Sequence, residues 1–151
     1  KTSCIKDFSV DDTHVEIKMC DQRLSHEIEF LKQQNISTIV ALTEKHHQRD
    51  ELAKHFNLHH FSIEDLGAPI FGQVVELADV IREATQKKQK MAVHCLAGIG
   101  RTSTMLVSAH LVLGEKLETL RASVAKNNPS FSFSGAQGEF IAAVNERVNR
   151  N

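Results

Sequence analysis

Cys95, Arg101 and Thr102 are the residues of this chain whose types and spacing carry the most chemistry. Cys95 ends the short apolar run Met91-Ala92-Val93-His94, Gly98 and Gly100 interrupt the segment that follows, and Arg101-Thr102 opens a long apolar stretch. Strand, loop and helix are expected in that order. The two glycines let the loop backbone take positive φ and turn its N–H groups inward, and a helix beginning near Arg101 adds the positive end of its dipole. A doubly charged phosphoryl group is the natural occupant of such a nest, cradled by Leu96, Ala97, Gly98, Ile99, Gly100 and Arg101. The donors that hold phosphate also favour a thiolate at Cys95, which makes it a candidate nucleophile. Arg101 supplies a planar fork that grips two phosphoryl oxygens at once, a geometry lysine does not offer. The Thr102 hydroxyl is placed to donate to the sulfur and ease its departure in a second step.

A cysteine mechanism of this kind needs an acid to protonate the departing oxygen. Glu64 and Asp65 stand together in Glu64-Asp65-Leu66-Gly67-Ala68-Pro69, where Gly and Pro break a strand into a loop. On chemistry alone either carboxylate serves.

The pattern His-Cys-x-x-Gly-x-x-Arg-Thr at His94 to Thr102 resembles the signature loop of the cysteine-dependent protein tyrosine phosphatases. The longer run to Met105 resembles most the small, single-domain dual-specificity branch, and the likeness extends from about Ile36 to Val144. It implies a three-layer α/β fold with a mostly parallel sheet of about four or five strands between helices. It also implies two-step hydrolysis of phosphomonoesters through a cysteinyl-phosphate, with no metal or other cofactor. In that family's acid loop an Asp precedes a Pro by four residues, which matches Asp65 with Pro69 and leaves Glu64 a solvated neighbour. Gln137 falls where the family carries a glutamine that helps place the attacking water. The pattern departs at Ser103, where Gly is common, and at Gly135 and Gly138, where bulkier helix formers are usual. Because the free enzyme needs Cys95 ionised and Asp65 protonated, the resemblance implies a bell-shaped pH profile that leans acidic.

The elements that must position these residues follow from periodicity. Val15 to Met19 alternates like a half-exposed edge strand after an irregular lead-in over residues 1–14. Leu24 to Gln34 has helical spacing with Ser25 as cap and Asn35 as stop, and Ser37 to Leu42 reads as a buried strand. Thr43 to Gln48 then forms a loop at the strand end, where open α/β sheets place ligand crevices. Asp50 to Phe56 suits a short helix, Asn57 to Ile63 a strand, and Ile70 to Gln86 an amphipathic helix closed by lysines that answer its dipole. Thr104 to Leu113 is apolar enough for a core helix stopped by Gly114, and Lys116 to Lys126 and Ser134 to Val148 complete a helical second half.

Composition narrows the classes. The chain of 151 residues is 41% hydrophobic, which suits one phosphatase-sized domain over residues 1–151. A formal net charge of -1 gives no polycationic footprint for nucleic acid. No run is apolar enough for a membrane span. Cys4, Cys20 and Cys95 make neither a disulfide framework nor a Cys-x-x-Cys zinc pair, and His59 and His60, adjacent on a strand, face opposite ways. His46 and His47 are a second adjacent pair with no ligand cluster around them. A nucleophilic thiolate survives in a reducing compartment, so cytosol, of the cell or of a host, is the expected location. Peroxide should oxidise Cys95, with Cys4 or Cys20 as the available resolving thiols.

The expected substrate is a phosphorylated protein met by a monomer. Leu96, Ala97 and Ile99 are uncharged, whereas a pocket for inositol polyphosphates needs extra cations, so phosphotyrosine, with or without phosphoserine and phosphothreonine, is favoured over phosphoinositide. A domain that binds phosphoproteins without hydrolysing them is the remaining alternative, against which the intact Cys95, Asp65 and Arg101 count.

Overall fold

Alternation along two strands organises the molecule. In a computed structural model that describes residues 14–16, 24–45, 49–95 and 100–150, Ile36–Ala41 (β2) and Lys90–His94 (β4) lie side by side and parallel at the centre of the sheet. Successive side chains on a strand point to opposite faces. Val40, Met91 and Val93 therefore join one buried cluster, while Ile39 and Ala92 join another on the other face. Two apolar faces demand a cover on each side, and that requirement makes three layers.

The sheet order is β1-β4-β2-β3, all parallel, with His14–Glu16 (β1) at one edge and Asn57–His60 (β3) at the other. It has three substantial strands and a three-residue edge strand, where the sequence suggested four or five strands. Pairing outlasts β3: Phe61 N–H donates to Ala41 O at 2.9 Å and Ile63 N–H to Leu42 O at 3.2 Å. The extended run thus reaches Ile63 as the sequence suggested, although regular strand geometry ends at His60.

Leu24–Gln33 (α1) and Arg49–Ala53 (α2) cover the face bearing Ile39 and Ala92, through Ile28, Leu31, Leu52 and Phe56. Phe71–Gln86 (α3), Gly100–Val112 (α4), Leu117–Asn127 (α5) and Gly135–Val148 (α6) cover the other. Each buried Leu, Ile or Val here contributes about 1.5–3 kcal/mol relative to exposure. Asn35 ends α1 with φ 64° and Gly114 follows α4 with φ 102°, the left-handed stops their residue types favour. Ser25 is not a cap, because α1 already begins at Leu24.

The helix after the signature segment begins at Gly100, one residue before the start near Arg101 that the sequence suggested and a turn before the apolar run from Thr104, and every residue from Arg101 to Leu111 is buried. A helix buried all round shows no amphipathic stripe, so its start cannot be read from periodicity. Lys90, expected to close the preceding helix, opens β4 instead, and Lys87 caps α3. His14, expected in the lead-in, opens β1, while residues 1–13, Cys4 among them, Ile17 to Met19, Cys20, His46 and His47 lie outside the described residues.

Candidate active site

The end of β4, the loop that follows β3 and the N-terminal ends of α4 and α6 meet around a cleft of about 330 Å³. Its lining includes Asp65, Cys95, Gly100, Arg101 and Gln137, with Leu66, Phe131 and Phe133 as apolar walls. Leu96, Ala97, Gly98 and Ile99, expected to cradle phosphate, lie outside the described residues, and the site is built here from what flanks them.

Cys95 follows directly on β4 and is 3% exposed at the base of the cleft. Thr102, on the first turn of α4, donates its Oγ1 hydrogen to Cys95 Sγ at 3.1 Å. A hydroxyl donor on sulfur stabilises negative charge there. Backbone pairing fixes the approach, since Leu42 N–H donates to His94 O at 2.9 Å and extends the β2–β4 ladder to the residue before the thiol.

Arg101 is 4% exposed, which demands partners for its charge. Its Nη1 donates to the Ile63 carbonyl at 2.9 Å and to Glu44 Oε1 at 2.9 Å, and its Nη2 stands 3.8 Å from Asp65 Oδ1. Two acceptors on Nη1 hold the guanidinium in place at the cleft wall. Glu44 was legible only as part of the strand-end loop, and its hold on Arg101, 57 residues away, has no local sequence signal.

Asp65 is largely exposed and lines the cleft, while Glu64 is absent from its described lining. Glu64 instead gives its carbonyl to Gly67 N–H at 2.9 Å, closing the turn that presents Asp65. Gln137 is 2% exposed. Its Oε1 accepts from Ser134 N–H at 3.1 Å and its Nε2 donates to the Gly67 carbonyl at 3.3 Å. A side chain added at Gly100 would stand 3.1 Å from Gln137 Nε2, so glycine there lets the amide lie against the start of α4. The departures noted at Gly135 and Gly138 cost no packing, since an added Cβ at either meets nothing within 4 Å. Ser103, where the family commonly has Gly, is fully buried with its hydroxyl unpaired among the described residues.

His60 lies against the loop after β2, its Nε2 2.6 Å from the Thr43 carbonyl, whereas His59 lines a separate cavity.

The family described as "Polymorphic toxin system, DSP-PTPase phosphatase" matches residues 16–115. The chain belongs to this dual-specificity phosphatase family. The PRL-1 phosphatase of Drosophila melanogaster is 32% identical over 101 residues, 65% of this chain, and the chain spans 57% of that relative's length. Among solved structures, a mutant form of Tk-PTP superposes with a TM-score of 0.82 at 23% identity, over 97% of this chain and 98% of that one. PTPMT1 superposes with a TM-score of 0.77 at 17% identity, over 93% and 94% of the two chains. At those identities the structural likenesses establish the phosphatase fold. The family match covers β4, the Cys95 segment and the whole of α4, so the signature and the family coincide on the same residues.

Proposed function

We propose that the chain hydrolyses phosphomonoesters of proteins, phosphotyrosine first and phosphoserine or phosphothreonine second, through a cysteinyl-phosphate. The observation that carries the reading is the convergence of Cys95, Arg101 and Asp65 on one cleft, with Thr102 already donating to the sulfur at 3.1 Å. In the first step Cys95 Sγ attacks phosphorus, the P–O ester bond breaks, and Asp65 gives its proton to the leaving oxygen. In the second, water attacks phosphorus, Asp65 takes up a proton, and the S–P bond breaks with the Thr102 hydroxyl stabilising the thiolate. Arg101, with the phosphate-binding segment expected from the sequence, balances charge on the equatorial oxygens throughout. Gln137, at the same cleft, is the candidate to hold the attacking water.

Substrate class follows from the walls. Arg101 is the sole cationic residue in the described cleft lining, and Leu66, Phe131 and Phe133 present apolar surface, which suits an aryl phosphate better than a polyanionic inositol ring. A nucleophilic thiolate calls for a reducing compartment, the cytosol of the cell or of a host. Among the described residues no helix is long and apolar enough to cross a membrane.

The test is phosphate release from a phosphotyrosine peptide. Wild-type protein should turn over and Cys95→Ser should not, and rapid acid quench should trap phosphate on sulfur in the wild type. Full turnover by Cys95→Ser overturns the mechanism.

A further inference from the structure

Asp65 sits between two captured carbonyls. Two residues before it, Ile63 O accepts from Arg101 Nη1 at 2.9 Å, and one residue after it, Leu66 O accepts from Ser134 Oγ at 2.9 Å. The next carbonyl, Gly67 O, accepts from Gln137 Nε2 at 3.3 Å. Leu66 itself holds φ 64°, a left-handed conformation that a leucine adopts only when its surroundings enforce it. Farther out, Gln73 Nε2 donates to Ser62 O at 3.4 Å and Gln73 Oε1 accepts from Ile70 N–H at 3.0 Å, so the loop is tied at both margins as well.

Ser134 is the residue in this set whose role exceeds what the fold requires. As the N-cap of α6 it needs only to accept, and its Oγ does accept from Gln137 N–H at 3.2 Å. Gln137 Oε1 accepts in return from Ser134 N–H, which completes a capping box. Yet the hydroxyl proton goes elsewhere, to a carbonyl 68 residues away that adjoins the acid-bearing residue. Helix capping does not call for that bond. We propose that Ser134 is a positioning residue for Asp65, latching the acid loop to the first turn of α6 so that the carboxyl reaches the leaving oxygen above Cys95.

The inference rests on the phosphatase reading and sharpens it. A latch on the acid matters in proportion to how much the leaving group needs a proton. Loss of the Ser134 hydroxyl should therefore be costly for a poor leaving group and nearly silent for a good one, a dependence that a mere loss of folding would not produce.

The experiment measures kcat/KM for phenyl phosphate and for p-nitrophenyl phosphate in wild type, Asp65→Asn, Ser134→Gly and Ser134→Thr, with thermal melts alongside. Glycine is well tolerated at an N-cap, so Ser134→Gly removes the latch while keeping α6, and threonine restores a hydroxyl that both donates and accepts. Ser134→Gly is expected to lose about tenfold on phenyl phosphate, the worth of roughly one hydrogen bond, and less than about twofold on the nitrophenyl ester. Ser134→Thr should recover most of the loss, and Asp65→Asn should show the same leaving-group dependence on a larger scale. Equal losses on both esters, or none on either, overturn the latch while leaving the phosphatase reading standing. Failure of the wild type to hydrolyse either ester overturns the phosphatase reading and the latch with it.

Discussion

The two ends of the sheet carry two cavities, and the larger is the less reactive. Toward the strand N-termini a cavity of about 500 Å³ is lined by Thr38, Asn57, His59, Glu83, Lys87 and Gln89, among others. Its one ion pair, Glu83 with Lys87 at 2.8 Å, lies on the surface with both side chains more than half exposed. The cleft at the opposite end is smaller, about 330 Å³, yet it holds a cysteine, an arginine and a glutamine each at most 4% exposed. Charge in water is screened and cheap, whereas a buried guanidinium keeps its field and must be held by fixed acceptors. What separates a site from a dent here is the burial of its functional groups, not the volume in front of them.

That contrast can be broken or sharpened by substitution at either end. Arg101→Lys at the C-terminal cleft should lower kcat/KM by about 10³–10⁵, the scale on which an arginine contributes to phosphoryl transfer, because lysine cannot match both the Ile63 and Glu44 acceptors and a phosphoryl edge. Asp65→Asn should cost about 10²–10⁴ in the same assay, the usual worth of a general acid. Glu44→Gln keeps a hydrogen-bond acceptor but loses the charge of a half-exposed pair, about 1 kcal/mol or roughly fivefold in kcat/KM. A loss approaching that of Arg101→Lys would show that Glu44 does more than steady the guanidinium.

Glu83→Gln, at the other end, should leave kcat/KM unchanged. The Lys87 ammonium, bonded to the Glu83 carboxylate, holds its pKa below the ordinary value. A depressed carboxyl pKa adds stability that is present above the unfolded-state value and is lost as pH falls through the folded-state one. The pair is exposed and screened, so its removal should only slightly flatten the acid side of a melting-temperature series against pH. A clear fall in turnover would mean that the larger cavity serves the reaction after all.

How far the sequence showed this site depends on how local each partnership is. Cys95, Arg101 and Thr102 lie within one strand-loop-helix unit, and a fixed spacing of distinctive residue types survives as a pattern. The choice of Asp65 over Glu64 came from a resemblance, since the local pattern serves either carboxylate. Glu44 and Ser134 had no such pattern, because their partners lie 57 and 68 residues away and one of those partners is a backbone carbonyl, which any residue type supplies. Of the sheet's central strands, β2 was legible from its β-branched run and β4 from the short apolar run that leads into Cys95. The start of α4 was legible from the Arg101-Thr102 pair but not from periodicity, since a helix buried on all sides offers no stripe.

That same helix sets the order in which the molecule loosens. Eleven consecutive buried residues, Arg101 to Leu111, place the amide protons of α4, with those of the central strands, among the ones that exchange with deuterium only on global opening. Catalytic competence should therefore fade together with the last protected amides, rather than drain away earlier through local fraying.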